Sequence, residues 1–251
     1  MNGRTLPVMQ TPRTVDIELT ARCNLRCTYC YFFDNPDVEY CDLPTDKWLQ
    51  FFEECGQLGV MDVTLAGGEP FIRKDLKQLL DGIVRSRMRF GLVSNGGLID
   101  DDIAAFIAGT GRCNFVQVSL DGSRPETHDL CRGAGSWVAA IRGIRTLQRR
   151  GVRVAVRVTI HRHNVGDLEN TVGLILEDMQ LPTVGTNAAG YLGVCRGNAG
   201  DILLSNEQRQ QAMEVLVRLA DEYPGRIQAS AGPLAEARMW RKMYAAQAVD
   251  A

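Results

Sequence analysis

Residues 14–30 read TVDIELTARCNLRCTYC. In the first six residues polar and apolar side chains alternate, which is typical of a strand with one apolar face, because successive strand side chains point to opposite faces. The rest of the stretch carries cysteines at positions 23, 27 and 30. Parallel α/β folds build their sites at the carboxyl edge of the sheet, so a cysteine loop directly after a strand predicts a site there.

The same alternation of strand and helix continues along the chain. Strands are predicted over Thr14–Leu19, Met61–Ala66, Arg89–Ser94, Asn114–Leu120 and Val152–Ile160, with a weaker sixth over Thr183–Asn187. Helices are predicted between them over Thr45–Leu58, Lys74–Arg87, Asp100–Ala108, Ser136–Arg150 and Val165–Met179. This order is typical of βα units on a parallel sheet. We therefore predict an α/β fold, a partial (β/α)6 TIM-like barrel of parallel strands.

The predicted fifth strand has one apolar and one polar face. Its valines and Ile160 share one face, and Arg153, Ala155, Arg157 and Thr159 share the other. A fully packed parallel barrel is apolar on both faces of its strands. A polar inner face therefore indicates a lumen that holds a ligand and water. An antiparallel sheet with one wet face is the alternative.

After residue 195 this pattern weakens. A helix is predicted over Ser205–Glu222, with Ser205 as N-cap and Gln208 in the capping-box position, and another over Pro233–Val249. The chain is accordingly divided into an N-terminal extension (1–13), a core (14–200) and a short helical C-terminal extension (201–251).

The composition is that of an ordinary soluble globular protein. The 251 residues are 45% hydrophobic and 23% charged, with a net charge of −2, which gives no reason to expect a nucleic-acid or membrane partner. No run approaches the roughly 18 apolar residues that a membrane-spanning helix needs, and no secretory signal is recognised. We expect a cytoplasmic location, where the eight cysteines stay reduced.

The spacing of Cys23, Cys27 and Cys30 points to a metal centre. Thiolates suit iron–sulfur clusters and zinc alike. Structural zinc normally takes four ligands, and the nearest further cysteine here is Cys41, with no second knuckle around it. Three thiolates on a cubane cluster leave one iron open, as catalysis needs. On spacing alone, zinc and three buried metal-free cysteines remain alternatives.

Three further motifs follow the cysteine loop in order. They are Gly67-Gly68-Glu69-Pro70, Ser94-Asn95-Gly96, and Ser119-Leu120-Asp121-Gly122 followed by His128-Asp129 and Arg132. With the aromatic Tyr29 before the last cysteine, this series resembles the radical S-adenosylmethionine (SAM) superfamily over about residues 14–160. Ser94 stands where the family motif has threonine. Taken singly, the first two of these three motifs are also what simple turns contain.

The resemblance implies a role for each motif. Cys23, Cys27 and Cys30 would ligate a [4Fe–4S] cluster. The residues expected to bind SAM are Tyr29, Gly67, Gly68, Glu69, Ser94, Asn95, Ser119, Asp121, Arg132 and Arg157.

Among these, the two glycines lack a Cβ and let backbone approach a ligand closely. Glu69 would accept a hydrogen bond from the SAM ammonium, and Ser94 and Asn95 suit ribose hydroxyls. Ser119 and Arg132 would contact SAM, with Arg132 pairing with its carboxylate; a surface charge is the alternative for Arg132. Arg157 is predicted to point into the lumen, so it is a second candidate for binding a carboxylate.

In the family, one electron from the reduced cluster cleaves SAM to methionine and a 5′-deoxyadenosyl radical, which abstracts hydrogen from a substrate. A low-potential electron donor, flavodoxin or ferredoxin, is implied as a partner.

The run from Ser119 to Arg132 and the pair Cys30-Tyr31 are most similar to SPASM-type maturases, which modify peptides or protein side chains. Those maturases continue into a cysteine-rich C-terminal domain, whereas Cys195 is the one cysteine after residue 131 here. Auxiliary clusters are not expected in this chain, which is either truncated or works with the core alone.

Other polar residues near the predicted edge are harder to assign. Glu18 is expected to hydrogen-bond SAM, a substrate or the backbone of the cysteine loop. His161 and His163 are expected on the rim, as part of a wet loop rather than a metal site. Cys55 and Cys113 are expected to pack in the core, and Cys41, Cys131 and Cys195 are further candidates for site thiols.

Three functions compete on this evidence. The first is a maturase that acts on a ribosomally made peptide. The second is a radical SAM enzyme of cofactor biosynthesis with a small-molecule substrate. The third is a non-catalytic iron–sulfur or zinc scaffold, which predicts that Glu69, Ser119 and Arg132 do not converge on the cysteine loop.

Overall fold

A single parallel sheet organises the chain in this computed structural model, which describes residues 11–32 and 41–249. The strands are β1 Thr14–Glu18, β2 Asp62–Ala66, β3 Arg89–Ser94, β4 Cys113–Ser119, β5 Val154–Ile160, β6 Val184–Ala188 and β7 Ile227–Ala229. They lie side by side in chain order, and every pair is parallel. Within the described residues no pairing joins β1 to β7, so the barrel is partial and open.

The sheet has seven strands where six were predicted. All six predicted strands form, and the parallel pairing rules out the antiparallel alternative. The additional strand, β7, spans only Ile227–Ala229 and pairs with β6. Three residues are too few to show strand periodicity, so this strand is defined by its tertiary pairing with β6 and not by its own sequence.

Helices connect the strands and follow the last of them. They are α1 Thr45–Gln57, α2 Leu76–Arg85, α3 Asp101–Gly109, α4 Pro125–Arg132, α5 Ser136–Arg149, α6 Leu168–Gly173, α7 Cys195–Ile202, α8 Asn206–Glu222 and α9 Pro233–Val249. Two of them, α4 and α7, were not predicted, because each is short and α7 contains Gly197 and Gly200. The single helix predicted over Val165–Met179 is a 3₁₀ turn, then α6, then a π-helical turn over Leu174–Asp178.

Strand parity divides the apolar core from the lumen. In β5 the side chains of Val154, Val156, Val158 and Ile160 are buried against the helices, and the alternating residues are only half-buried. The polar inner face predicted from the sequence is therefore confirmed.

The C-terminal part of the chain packs onto this core. The capping box at the start of α8 is present, because Ser205 Oγ accepts from Gln208 N and the Gln208 side chain accepts from Ser205 N. The predicted boundary at residue 200 falls inside α7, and β7 extends the core sheet. The division into core and extension stays a prediction, and the first ten residues of the predicted N-terminal extension lie outside the described residues. No helix of the described ranges is long and apolar enough to cross a bilayer.

Candidate active site

A cavity of about 420 Å³ opens at the carboxyl edge of the sheet. All the predicted site residues except Glu69 and Asp121 line it. The sequence analysis missed several others on its wall: Leu25, Tyr31, Val93, Gln117, Thr159, Asn187, Ala188, Ala189, Gly190 and Leu192. Of these, Gln117 and Thr159 have the same inward parity as Ser119 and Arg157, so the sequence carried a signal for them. A larger groove of about 720 Å³ between α1 and α2 lies on the outer surface and contains no cysteine.

The cysteine loop is tied to neighbouring backbone on several sides. Cys30 N donates to Cys27 O at 3.1 Å, which closes a turn within the loop, and Thr28 N donates to Cys131 O at 2.9 Å. Arg26 Nη1 donates to Cys23 O at 2.8 Å. The loop therefore has a defined conformation that aims the three thiols at one region.

The unpredicted helix α7 braces the other side of this loop. Val194 N donates to Phe32 O at 3.1 Å, and Cys195 N donates to Cys30 O at 3.3 Å. Asn198 Nδ2 donates to Thr28 O at 2.9 Å. The segment at the start of α7 thus satisfies carbonyls that would otherwise be left unpaired around the third cysteine.

The two glycines after β2 make room for the cysteine loop. A Cβ on Gly67 would lie 2.4 Å from Thr20 O, and a Cβ on Gly68 would lie 2.2 Å from Arg22 O. Gly67 also has a φ of +123°, which disfavours any other residue. Both glycines line the cavity, but the close approach that requires them is to backbone of this chain.

All three thiols are free and at least half-buried. Burial raises the pKa of Cys27 to about 11, with the Arg132 charge opposing that rise. Burial also raises the pKa of Cys23, and the negative charges of Glu69 and Cys30 add to it. A neutral thiol of this kind loses its proton when it binds a metal, as thiolate ligands must.

The described residues contain no ready-made site for a single metal ion. Among the described residues no three His, Cys, Asp or Glu side chains come close enough together to hold one metal ion. A structural zinc needs four such ligands around one centre, so the zinc alternative loses support. Each cysteine of an iron–sulfur cluster instead binds its own iron, which sets the sulfur atoms further apart.

There is space for a cluster and for a second group beside the thiols. Cys23, Cys27 and Cys30 border the main cavity and also a second cavity of about 390 Å³, whose wall includes Arg26 and Phe32. The donor set, the spacing and the space therefore fit a cubane cluster held by three cysteines.

Glu69 links the turn after β2 to the turn after β3. Its fully buried carboxylate accepts from Ser94 Oγ at 2.9 Å, from Asn95 N at 2.7 Å and from Phe71 N at 3.2 Å. Burial raises the pKa of Glu69, and these three donors oppose that rise. An ionised carboxylate has about four acceptor positions, so one is left for a ligand donor. The expected bond from an ammonium to Glu69 stays a prediction.

Asn95 connects the same turn to the cysteine loop. Its Nδ2 donates to Asn24 Oδ1 at 2.8 Å and lies 3.8 Å from Cys23 Sγ. Its Oδ1 accepts from Gly97 N at 2.9 Å. Asn95 therefore both shapes its own turn and lies against the first cysteine.

Asp121 lies behind the cavity wall. Its fully buried carboxylate accepts from the Tyr29 hydroxyl, from Arg132 Nε at 2.5 Å and from Thr159 N at 2.8 Å. Burial alone would raise the pKa of Asp121, but the guanidinium of Arg132 lowers it to about 2. Asp121 is thus an ionised anchor for Tyr29 and Arg132, and its expected contact with SAM stays a prediction.

Arg132 completes this anchor on the cavity side. Its guanidinium lies 5.4 Å from the centre of the Tyr29 ring, and its side chain is 8% exposed. The alternative reading of Arg132 as a surface charge is therefore wrong. The residue faces the cavity with its charge balanced by Asp121.

His161 is buried beneath Tyr29, and the expectation of a wet loop is wrong for it. The two rings stack with centres 5.4 Å apart, and His161 Nδ1 lies 3.8 Å from Cys131 Sγ. Burial lowers the pKa of His161 to about 4. His163 is partly exposed and its Nε2 lies 3.4 Å from Asp201 Oδ2, and its expected place on the rim stays a prediction.

The remaining cysteines and Glu18 are also placed. Cys55 is buried in the main core as predicted, whereas Cys131 and Cys195 are buried with Tyr29 in a small separate cluster. Burial first, and the negative charge of Glu18 second, raise the pKa of Tyr31 to about 12. In this arrangement Glu18 contacts a side chain next to the cysteine loop.

Known proteins resemble this chain in sequence and in fold. The chain is 34% identical to Fe-coproporphyrin III synthase of Methanosarcina barkeri over 204 residues, covering 79% of this chain and 49% of that protein. It is 32% identical to PqqA peptide cyclase of Ruegeria pomeroyi over 183 residues, covering 70% of this chain and 48% of that protein. The chain thus spans about half the length of these curated relatives.

A solved structure shows the same fold. SuiB of Streptococcus suis, crystallised with S-adenosylmethionine, superimposes with a TM-score of 0.71 at 14% identity, covering 88% of this chain and 50% of that one. In sequence, the model of the radical SAM superfamily matches residues 17–175. Because that match includes all three cysteines and runs from β1 past β5, the chain belongs to the radical SAM superfamily.

Proposed function

We propose that this enzyme holds a [4Fe–4S] cluster on Cys23, Cys27 and Cys30, cleaves SAM reductively and removes a hydrogen atom from a peptide substrate. The observation that carries the proposal is the sharing of one cavity by the three thiols with Ser119 and Arg132. Glu69 does not line that cavity, but it binds Asn95 N, and Asn95 Nδ2 lies 3.8 Å from Cys23 Sγ. The convergence of Ser119 and Arg132 on the thiols supports an enzyme over a scaffold.

The cofactors of the superfamily are a [4Fe–4S] cluster and SAM. When bound, they supply a 5′-deoxyadenosyl radical, formed with methionine as one electron from the cluster cleaves a carbon–sulfur bond of SAM. The protein's part in such chemistry is to bind, orient and keep out water.

Several residues are placed to orient SAM. Ser94 and Asn95 lie on the cavity wall, and the buried carboxylate of Glu69 holds both of them in place from behind. Arg132 supplies donors for a carboxylate without leaving an unbalanced buried charge, because Asp121 pairs with it. Tyr29, fixed between Asp121 and His161, closes the wall behind the third cysteine.

The mouth of the cavity suits a substrate larger than SAM. Tyr31 and Leu192 line the cavity and are 52% and 58% exposed, and Tyr191 beside them is 61% exposed. Exposed apolar and aromatic groups at one rim are typical of binding surfaces. With the likeness to a peptide cyclase, this rim supports a peptide substrate.

A small-molecule substrate is the second candidate. It is favoured by the likeness to Fe-coproporphyrin III synthase over most of the described chain. A low-potential donor such as flavodoxin or ferredoxin would supply the electron in either case.

The test is anaerobic reconstitution with iron and sulfide, followed by dithionite and SAM. 5′-Deoxyadenosine is measured by mass spectrometry in the wild type, in Cys27→Ala and in the matched control Cys41→Ala, which removes an exposed cysteine. The wild type and the control are expected to form 5′-deoxyadenosine, and Cys27→Ala is expected to form none. Equal activity of Cys27→Ala and wild type would refute the assignment of the cysteines.

A further inference from the structure

A third and smaller pocket, which no thiol borders, opens beside the main cavity. Its volume is about 210 Å³, and it lies where β5, β6 and β7 run side by side. It is lined by Arg157, Gly185, Thr186, Gln228, Ala229 and Ser230. Arg157 also lines the main cavity, so its side chain forms part of the wall of both.

The register of the sheet sets up this pocket. Arg157 pairs with Gly185, and Gly185 pairs with Gln228. Residues paired in a parallel ladder point to the same face, so these three positions form one row across the inner face. The row starts at the lumen and ends at β7, the open edge of the sheet.

Arg157 has no acidic partner in the part of the chain that the structure describes. Its Nε donates to Gln117 Oε1 at 2.9 Å, and no Asp or Glu of the described residues lies within 4.0 Å of its guanidinium. A guanidinium has five N–H donors in a planar fork, which matches a carboxylate in two parallel hydrogen bonds. An arginine held in a cavity wall without an acidic partner is suited to an anionic ligand.

Arg132 differs from Arg157 in its charge pairing and in its position. It is paired with Asp121, and it lies against Tyr29 in the cysteine loop. A carboxylate bound next to the thiols therefore meets Arg132. The sequence placed Arg157 among the expected SAM contacts, but its position in the wall of the smaller pocket as well leaves it available for a different carboxylate.

Gly185 leaves space beside the guanidinium. A Cβ at this position would meet only Val156 O, at an ordinary 3.6 Å, and the residue does not have a positive φ. The backbone thus does not require glycine here. The missing side chain instead keeps the pocket open next to Arg157.

We propose that Arg157 binds a carboxylate of the substrate, which reaches it through the pocket beside Gly185 and Gln228. This inference rests on the proposed function and names the chemical class of its substrate. The carboxylate could belong to an acidic residue of a peptide or to a small molecule. Comparing the affinity of a glutamate derivative with that of butyrate distinguishes these two sources.

The test measures ligand affinity on the anaerobic, cluster-loaded protein. The probes are N-acetyl-glutamate methylamide, its neutral glutamine counterpart and butyrate, titrated by calorimetry in the presence of SAM. SAM affinity is measured separately. The variants are Arg157→Gln and the matched control Arg153→Gln, which lies directly before the same strand, is exposed and is outside both cavities.

We expect the two carboxylates to bind and the neutral probe to bind at least about tenfold more weakly. Arg157→Gln should weaken both carboxylates about tenfold or more and leave SAM affinity within about twofold, and Arg153→Gln should change neither. Gly185→Val, which fills the pocket and keeps the arginine, should weaken the carboxylates as well. Tighter binding of the glutamate probe than of butyrate would identify a peptide as the source.

Three results would overturn the proposal. They are no carboxylate binding to the wild type, unchanged carboxylate binding in both Arg157→Gln and Gly185→Val, or an equal loss of SAM affinity in Arg157→Gln. The last result would assign Arg157 to SAM. These experiments measure probe binding and not the formation of 5′-deoxyadenosine. A failure of this proposal can therefore be distinguished from a failure of the proposed function.

Discussion

The hydroxyl of Tyr29 donates a hydrogen bond to the buried carboxylate of Asp121, which joins the cysteine loop to the end of β4. The same carboxylate binds Arg132 and the backbone N–H of Thr159. One ionised group thus holds the loop, an arginine of the cavity and the end of β5 in fixed relation.

Replacing Asp121 with Asn should strongly destabilise the fold. The change leaves Arg132 as a buried charge without a partner, and losing one member of a buried ion pair costs about 3–5 kcal/mol. Urea unfolding measures the difference in free energy. Asp201→Asn, at an exposed carboxylate, is the control and should change stability by less than about 0.5 kcal/mol. Equal stability of Asp121→Asn and wild type would contradict the anchor role.

Gly67→Ala should be more damaging than Gly59→Ala. Both residues have positive φ, but a Cβ at Gly59 meets nothing within 4 Å, whereas one at Gly67 would lie 2.4 Å from Thr20 O. Backbone strain alone costs about 1–3 kcal/mol, so Gly59→Ala measures that part and Gly67→Ala adds the clash with the cysteine loop. Thermal unfolding of both variants compares them. Similar losses would show that the loop tolerates the methyl group.

Stability should fall as the pH is lowered from about 6.5 towards 4. Burial lowers the pKa of His128 and of His161 to about 4. The unfolded chain binds protons on these histidines from pH 6.5 downward while the folded chain does not, so stability is full above that pH and is lost towards pH 4. Each histidine adds a slope of up to about 1.4 kcal/mol per pH unit.

Removing one of the two buried histidines tests this origin of the slope. His161→Gln should reduce the slope by about half, because His128 then supplies the rest. Urea unfolding at several pH values gives the slopes. An unchanged slope in His161→Gln would mean that His161 titrates alike in both states.

The sequence predicted most of the sheet and of the cavity wall, because both depend on local pattern. Alternating residues in β5 identified the inner face, and the spacing of Cys23, Cys27 and Cys30 identified the thiol loop. Ser119 was found from its motif and Arg157 from strand parity, and the register places them side by side.

What the sequence did not predict depends on tertiary contacts. Whether Glu69 and Asp121 face a ligand or the protein is decided by donors from other turns, such as Asn95 N and Thr159 N. His161 is buried because the ring of Tyr29 covers it. The strand β7 exists only through its pairing with β6.

The most direct test of the central claim is the electron paramagnetic resonance spectrum of the reconstituted, dithionite-reduced protein with and without SAM. We predict a [4Fe–4S]⁺ signal that changes when SAM is added. The signal should persist in Cys41→Ala and be lost in Cys27→Ala. A signal of the same intensity in Cys27→Ala, or one that SAM does not alter, would contradict the claim that Cys23, Cys27 and Cys30 hold a cluster to which SAM binds.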